Sequence, residues 1–314
     1  MPGLLRLYKK LRRVPNDLQF YDLVQQGRVS PTLAITCRGK RDGGGAQANA
    51  CISAMAFARA SGIAYLHTPF QFVEHAEGDQ AAWTTKWEEF FGLAAGERVI
   101  TPMQGAVGVK EFLDRAALWK RDGIVVEAQH YQGICNAHPE MYAAILPSLR
   151  EKYRSHDKSG IALHRGDEDM TVAVHIRRGD VSLRDAATAD RFTSDERILK
   201  ILHRVLAVLA AKGRTVRVNI YSEGRAEDFK LFADLGCHLH VGLDVFETVH
   251  NLAMSDVLVT AKSAFSFVAG LISTGVKLYE PYQSIAPDDW LKLDADGNFN
   301  HEALSARLSE KLRA

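Results

Sequence analysis

From residue 32 onward the chain alternates short β-branched runs with stretches of helical periodicity, and this alternation limits the fold more than any other feature. A strand followed by a helix and a second strand of the same sheet has to cross over, so repeated units of this kind build parallel sheets covered by helices on both faces. In the first half, Thr32 to Cys37 (TLAITC) reads as a strand, followed by the glycine-rich GKRDGGGAQ, a helix over 46–60 and a strand near Ile63 to His67. Gly123 to Ala128 (GIVVEA) is a third strand; 83–91 and 140–153 read as helices, with Pro139 suited to a helix start. In the second half strands are expected at 171–176, 216–221, 238–241, 256–260 and 276–279, and helices at 194–211, 226–235, 246–254, 263–273 and 301–313. The polar, aperiodic stretch 156–169 reads as a connection between the halves or a surface loop.

A chain of 314 residues suits two domains, though one large α/β domain is also within range. The expected division is 1–155 and 156–314. Thirty-nine Lys and Arg against thirty-eight Asp and Glu leave a net charge of +1, which provides no overall field for holding DNA or RNA. Any anion site must therefore be local. Cys37, Cys51, Cys135 and Cys237 form no C-x-x-C pair and have no His partner at zinc spacing, which argues against a disulfide framework or a structural metal. No apolar run approaches the length needed to cross a bilayer, and no secretory signal is evident, so a cytoplasmic protein is expected. Leu4, Leu7 and Leu11 recur at helical spacing among Arg6, Lys9, Lys10, Arg12 and Arg13. Such a basic helix suits peripheral contact with the inner face of a membrane, or, more commonly, packing on the body of the protein.

In open parallel sheets ligands collect beyond the carboxyl ends of the strands. His175-Ile176-Arg177-Arg178-Gly179-Asp180 puts two guanidinium groups there, and arginine grips phosphate oxygens in pairs because it is planar and permanently charged. Gly179 allows a sharp turn, and Asp180 is placed to orient one arginine. The plainer alternative is an Arg–Asp ion pair closing a strand, worth little energetically. Downstream, Ala261-Lys262-Ser263-Ala264-Phe265-Ser266 ends a strand and begins a helix with Ser263 as its cap, leaving free backbone N–H groups and the positive end of the helix dipole for an anion. Gly43-Gly44-Gly45-Ala46-Gln47 occupies the matching turn of the first half. It fits neither G-x-G-x-x-G nor G-x-x-x-x-G-K-[ST], which disfavours a nicotinamide-dependent dehydrogenase and a P-loop nucleotidase.

These residues resemble the GDP-fucose-dependent fucosyltransferases of the α1,2, α1,6 and protein O-fucosyl group, which share an H-x-R-R-x-D motif, here His175 to Asp180. Ser255-Asp256 before a strand, then Ser263-Ala264-Phe265-Ser266, is similar to the later motif of that family, and Gly44 and Gly45 lie in a turn similar to its G-G-x-G-x-Q, so the resemblance places Asp256, Gly44 and Gly45 among the expected donor-binding residues. The resemblance implies an α/β GT-B fold, two Rossmann-like domains facing each other across a cleft, with an N-terminal acceptor-binding and a C-terminal donor-binding domain. It implies that Arg177 and Arg178 hold the β-phosphate of GDP-fucose, that His175 lines the guanine side and that Ser263 lies near the diphosphate. Ala264 replaces the usual second serine, for which Ser266 is the expected substitute. A guanine-reading carboxylate is expected about eight residues before Asp256, where Thr248 stands with Glu247 beside it.

The chemistry suits these parts without reference to any family. Breaking a sugar–diphosphate bond develops negative charge on the departing phosphate, which fixed arginines stabilise. A base for the acceptor hydroxyl is also required; Glu127, after GIVVEA and close to His130, is the first choice, with Glu74 and His75 as rivals. Asp294-Ala295-Asp296-Gly297 opens like a calcium loop, but Ser305 stands where the twelfth-position glutamate belongs, so no metal is expected. The expected reaction is inverting transfer of L-fucose from GDP-β-L-fucose to a hydroxyl of a glycan or glycolipid acceptor, with no cofactor and no nucleic-acid partner. The alternatives are another sugar nucleotide or a non-catalytic nucleotide-sugar binder.

Overall fold

The computed structural model describes residues 16–101, 105–311 and 313, and the basic N-terminal stretch with Leu4, Leu7 and Leu11 lies outside them. The chain divides into two compact units, Met1–His156 and Asp157–Ala314. Each is an α/β unit on a parallel sheet, the Rossmann-like arrangement that the alternation of the sequence predicts. Among the described residues no helix is long and apolar enough to cross a membrane.

The first unit runs α1 (16–25), β1 (Ala34–Cys37), α2 (Gly44–Ser61), β2 (Ala64–His67), α3 (Gln80–Phe91), β3 (Arg98–Val99), β4 (Val107–Gly108), α4 (Val109–Asp114), β5 (Val125–Ala128), α5 (Gln132–Ala137) and α6 (Leu146–Ser155). Its sheet has the order β3-β2-β1-β5-β4, and every pairing is parallel. Helix α2 is buried almost all round, which its run of alanines permits because small side chains let strands and helices approach from several sides. Phe20 of α1 packs edge-on against Phe57 of α2 and Phe112 of α4 at 5.8 and 5.5 Å between ring centres.

The helix expected over 140–153 is interrupted. A 3₁₀ segment covers Pro139–Ala144 and α6 begins afresh at Leu146, because Pro147 has no N–H with which to continue the preceding turn.

The second unit runs β6 (Met170–Ile176), α7 (Asp195–Ala210), β7 (Val216–Ser222), α8 (Lys230–Ala233), β8 (His238–Val241), α9 (Val245–Met254), β9 (Val257–Val259), α10 (Ala264–Ile272), β10 (Val276–Tyr279), β11 (Leu291–Lys292) and α11 (His301–Lys311). The sheet order is β11-β10-β9-β6-β7-β8, again with parallel pairings throughout. One face carries Val172, Val174 and Ile176 of β6, packed with Ile198, Leu202 and Val205 of α7 and Leu304 and Leu308 of α11. The other face carries Thr171, Ala173 and His175, since successive side chains of a strand alternate. His175 meets Phe265 of α10 on that side. Because all strands point the same way, the segments after β6, β7, β9 and β10 emerge along one edge.

Candidate functional site

At that edge Arg177 and Arg178 follow directly on β6. Arg177 forks onto Asp180, Nε donating to Oδ1 at 3.2 Å and Nη2 to Oδ2 at 2.8 Å, so Asp180 orients it as its spacing suggests. The remaining Nη1 donates to the carbonyl of Lys262 at 3.4 Å, which ties the end of β6 to the turn before α10. Ser263 caps α10, its Oγ accepting from the Phe265 N–H at 3.1 Å. The arginine motif and the capped helix start, separated by more than eighty residues in sequence, are thus neighbours.

Arg178 is held more tightly. Nη2 donates to Asp195 in the first turn of α7 at 2.5 Å and to the Thr193 carbonyl at 3.1 Å, Nη1 donates to the Arg177 carbonyl at 2.9 Å, and the guanidinium stacks over Phe192. Arg191 lies 3.9 Å from Asp180, and Lys262 donates to the Phe192 carbonyl at 3.5 Å. Four cations therefore converge where two carboxylates, Asp180 and Asp195, take part of their charge. Arg191, Phe192 and Thr193 come from the irregular connection between β6 and α7, whose sequence carries no periodic signal, while Asp195 opens α7 itself.

Three buried polar atoms around this cluster have no hydrogen-bond partner in the protein: His175 Nδ1, Arg191 Nε and Thr193 Oγ1. Buried polar groups are nearly always satisfied, so such a group of orphans at one strand edge marks a place built for an external partner. Burial, reinforced by the positive charge of Arg177, pushes the His175 imidazole down to about 3. It is neutral at physiological pH and offers one donor and one acceptor rather than a charge.

Gly179 turns the chain out of the site with φ +68°, and a Cβ there would fall 1.8 Å from Glu223 Oε2. The positive φ is what calls for glycine, while a Cβ there would have to displace the end of the Glu223 side chain.

Several expected site residues are elsewhere or otherwise engaged. Asp256 precedes β9, level with Thr171 at the start of β6, roughly 20 Å along the strand from Arg177. It accepts from the Thr171 N–H and hydroxyl at 2.8 and 2.9 Å and pairs with Lys311 of α11 at 2.9 Å, so it pins the opposite end of the sheet. Ser266 is fully buried and spends its hydroxyl on the Ala261 backbone, accepting at 3.1 Å and donating at 3.4 Å, which closes the turn and leaves nothing for a ligand to replace the missing serine.

Glu247 is in the first turn of α9, but its Oε1 is taken by His164 Nε2 at 2.8 Å. His164 in turn stacks face to face on His240 at 3.8 Å and meets the Tyr221 hydroxyl at 3.0 Å. The connection after residue 156 thus covers this part of the sheet through stacked rings.

In the first unit Gly44 and Gly45 belong to α2 itself. A Cβ on Gly44 would enter the Trp87 ring at 2.3 Å, so that glycine serves helix packing rather than a loose ligand turn. Glu127, at the end of β5, is ion-paired with Arg38. Glu74 and His75 lie in an exposed loop. Asp294 accepts from the N–H groups of Asp296 and Asn298 at 2.9 and 2.8 Å, a self-contained turn.

No protein-family model matches the chain, and neither does any curated protein sequence. Among solved structures, a mutant of Arabidopsis thaliana FUT1 in complex with GDP is similar at 12% identity, over 89% of this chain and 79% of that one, with a TM-score of 0.38. NodZ alpha-1,6-fucosyltransferase co-crystallised with GDP is similar at 13% identity, over 86% and 97%, with a TM-score of 0.39. The E. coli heptosyltransferase WaaC with ADP-2-deoxy-2-fluoro heptose is similar at 13% identity, over 90% and 98%, also at 0.39. Similarity of this degree assigns neither donor nor acceptor to the present chain.

Proposed function

We propose that the chain is a GT-B glycosyltransferase whose second domain binds a nucleoside-diphosphate sugar, GDP-β-L-fucose in the first place, and transfers the sugar with inversion to a glycan hydroxyl. The observation that carries this reading is the convergence of Arg177, Arg178 and the Ser263-capped start of α10 around buried orphan atoms of His175, Arg191 and Thr193. A diphosphate would accept from the guanidinium groups and from the free N–H groups of the helix start, which between them supply charge, direction and exclusion of water. As the bond to the sugar breaks, charge grows on the phosphate beside groups already held in place by Asp180, Asp195 and Phe192, so little reorganisation is needed. The fucosyl and guanosine parts of the proposal come from the H-x-R-R-x-D resemblance. The first domain is assigned the acceptor, with Glu127 as the proposed base once Arg38 is drawn away.

The test is thermal denaturation with GDP, UDP and ADP, since a ligand bound only to the folded state raises the transition. Stabilisation by GDP alone, together with turnover of GDP-fucose, is the expected result. Stabilisation by ADP or UDP instead reassigns the donor, and stabilisation by none removes the proposal. GDP binding without hydrolysis or transfer identifies a non-catalytic binder.

A further inference from the structure

The connection between β6 and α7 folds back onto the arginine motif and is fastened there residue by residue. A 3₁₀ turn over Ala189–Arg191 brings Arg191, Phe192 and Thr193 against it. The Phe192 ring lies under the Arg178 guanidinium, the Phe192 carbonyl accepts from Lys262 at 3.5 Å, and the Thr193 carbonyl accepts from Arg178 at 3.1 Å. The ring and the carbonyls of this segment are therefore engaged with the motif, while its two polar side chains are left over.

The donors of the three guanidinium groups are spent unequally. Each guanidinium has five N–H donors. Arg177 directs Nε and Nη2 to Asp180 and Nη1 to the Lys262 carbonyl, and Arg178 directs Nη2 to Asp195 and the Thr193 carbonyl and Nη1 to the Arg177 carbonyl. Arg191 stands apart. Its Nε is buried with no acceptor among the described residues, and its Nη1 is 3.9 Å from Asp180 Oδ2, beyond hydrogen-bond reach. Thr193 Oγ1, two residues further on, is likewise buried and unsatisfied.

A guanidinium present only to offset the charge of Asp180 would gain nothing by burying Nε without an acceptor. Such a donor costs the free energy of a hydrogen bond forgone, which an oxygen arriving with a ligand would restore. A phosphate group suits this need, because its neighbouring oxygens accept two parallel bonds from one guanidinium, and Arg191 keeps the most donors for them.

We propose that Arg191, which lies outside the H-x-R-R-x-D motif, is a third phosphate-binding guanidinium, and that with the Thr193 hydroxyl it holds the donor diphosphate from the side of the β6–α7 connection. This rests on the reading of the motif as a diphosphate site. Arg178 then has two tasks: it takes a share of the ligand's charge, and through Phe192 and Thr193 it places the segment that carries Arg191.

The test is calorimetric titration of the full chain with GDP. In Arg191→Gln the affinity should fall roughly 10- to 100-fold, the worth of hydrogen bonds to a charged partner, and Arg191→Lys should recover only part of it. Thr193→Val keeps the carbonyl that Arg178 uses and should weaken GDP by at least ~3-fold. GDP affinity within about twofold of wild type in a folded Arg191→Gln overturns the proposal, and loss of binding in Arg178→Ala beside it would show that the diphosphate reading stands without Arg191. A wild-type chain that binds none of GDP, UDP and ADP removes that reading, and the proposal with it. Should Arg191→Gln not fold, phenylglyoxal modification of the native wild type with peptide mapping decides. Slowing of Arg191 modification by GDP of ~5-fold or more, with guanosine ineffective, supports the phosphate contact, whereas no protection, or equal protection by guanosine, overturns it.

Discussion

The guanidinium of Arg178 lies 4.2 Å over the centre of the Phe192 ring. With Asp195 and the Thr193 carbonyl taking its Nη2 donors, the side chain is fixed before any ligand arrives, which is the condition under which a charge lowers a barrier most. Arg178→Ala is expected to reduce sugar-donor turnover by about a hundredfold or more. Arg178→Lys is expected to recover only a small part, since an ammonium cannot share planar donors between two acceptors and stack on the ring as well. Steady-state kinetics with GDP-fucose check both; turnover within threefold of wild type in Arg178→Ala would remove the residue from the mechanism.

Gly179 meets two separate constraints, a left-handed φ of +68° and a Cβ position 1.8 Å from Glu223 Oε2. Gly179→Ala is expected to cost roughly 1–3 kcal/mol of stability from backbone strain. Nucleotide affinity should fall as well, because the strain lies beside the Arg177–Asp180 fork. Denaturant unfolding and GDP titration measure the two effects. In Gly179→Ala/Glu223→Ala the steric part is relieved while the strain of φ remains, so partial recovery is expected.

The strands of the second sheet were legible because runs such as 171–176 and 216–221 are β-branched and bounded by polar stretches, as strands covered on both faces are. β3, β4 and β11 were not, since two residues carry no period and their pairing is decided by neighbours distant in sequence. In the site, Arg177, Asp180 and Ser263 could be read because position after a strand or before a helix already implies an edge and a direction. Phe192 and Thr193 could not, since a loop that folds back leaves no pattern, and Asp195, though it opens the helix expected over 194–211, carries no sign in sequence that its carboxylate meets Arg178. Asp256 was misplaced for a related reason: adjacency to a strand does not say which end of the sheet a residue serves.

His175 makes the second domain sensitive to acid. Its imidazole is held down to about 3 by burial and by Arg177, while the unfolded chain titrates near the ordinary 6.5. Above 6.5 both states are neutral and the full stability is present; as pH falls from 6.5 toward 3 the unfolded state alone takes up the proton, and stability is lost at about 1.4 kcal/mol per pH unit. Between pH 7.5 and pH 5 this site accounts for roughly 2 kcal/mol. His175→Asn, which does not titrate, should lose correspondingly less over the same interval in paired denaturant curves. Equal losses in the two proteins would contradict the assignment.

Asp256 separates a structural from a ligand-binding reading of the same motif. Burial works to raise its carboxyl, but the hydrogen bonds from Thr171 and the charge of Lys311 outweigh it and hold the group below its ordinary value. Its contribution is therefore complete above the ordinary carboxylate range and is lost as pH falls through the lower folded value. Asp256→Asn keeps the shape, weakens the acceptance from Thr171 and removes the pairing with Lys311, so a loss of about 1–3 kcal/mol is expected, confined to pH above that range. Lys311→Met should produce a smaller loss of the same pH form. Because the group lies at the far end of β6 from Arg177, GDP affinity should stay within twofold of wild type for both variants. A tenfold fall in affinity for Asp256→Asn, with stability intact, would mean that the nucleotide reaches the opposite edge of the sheet, and the arginine cluster would then lose its claim to the diphosphate.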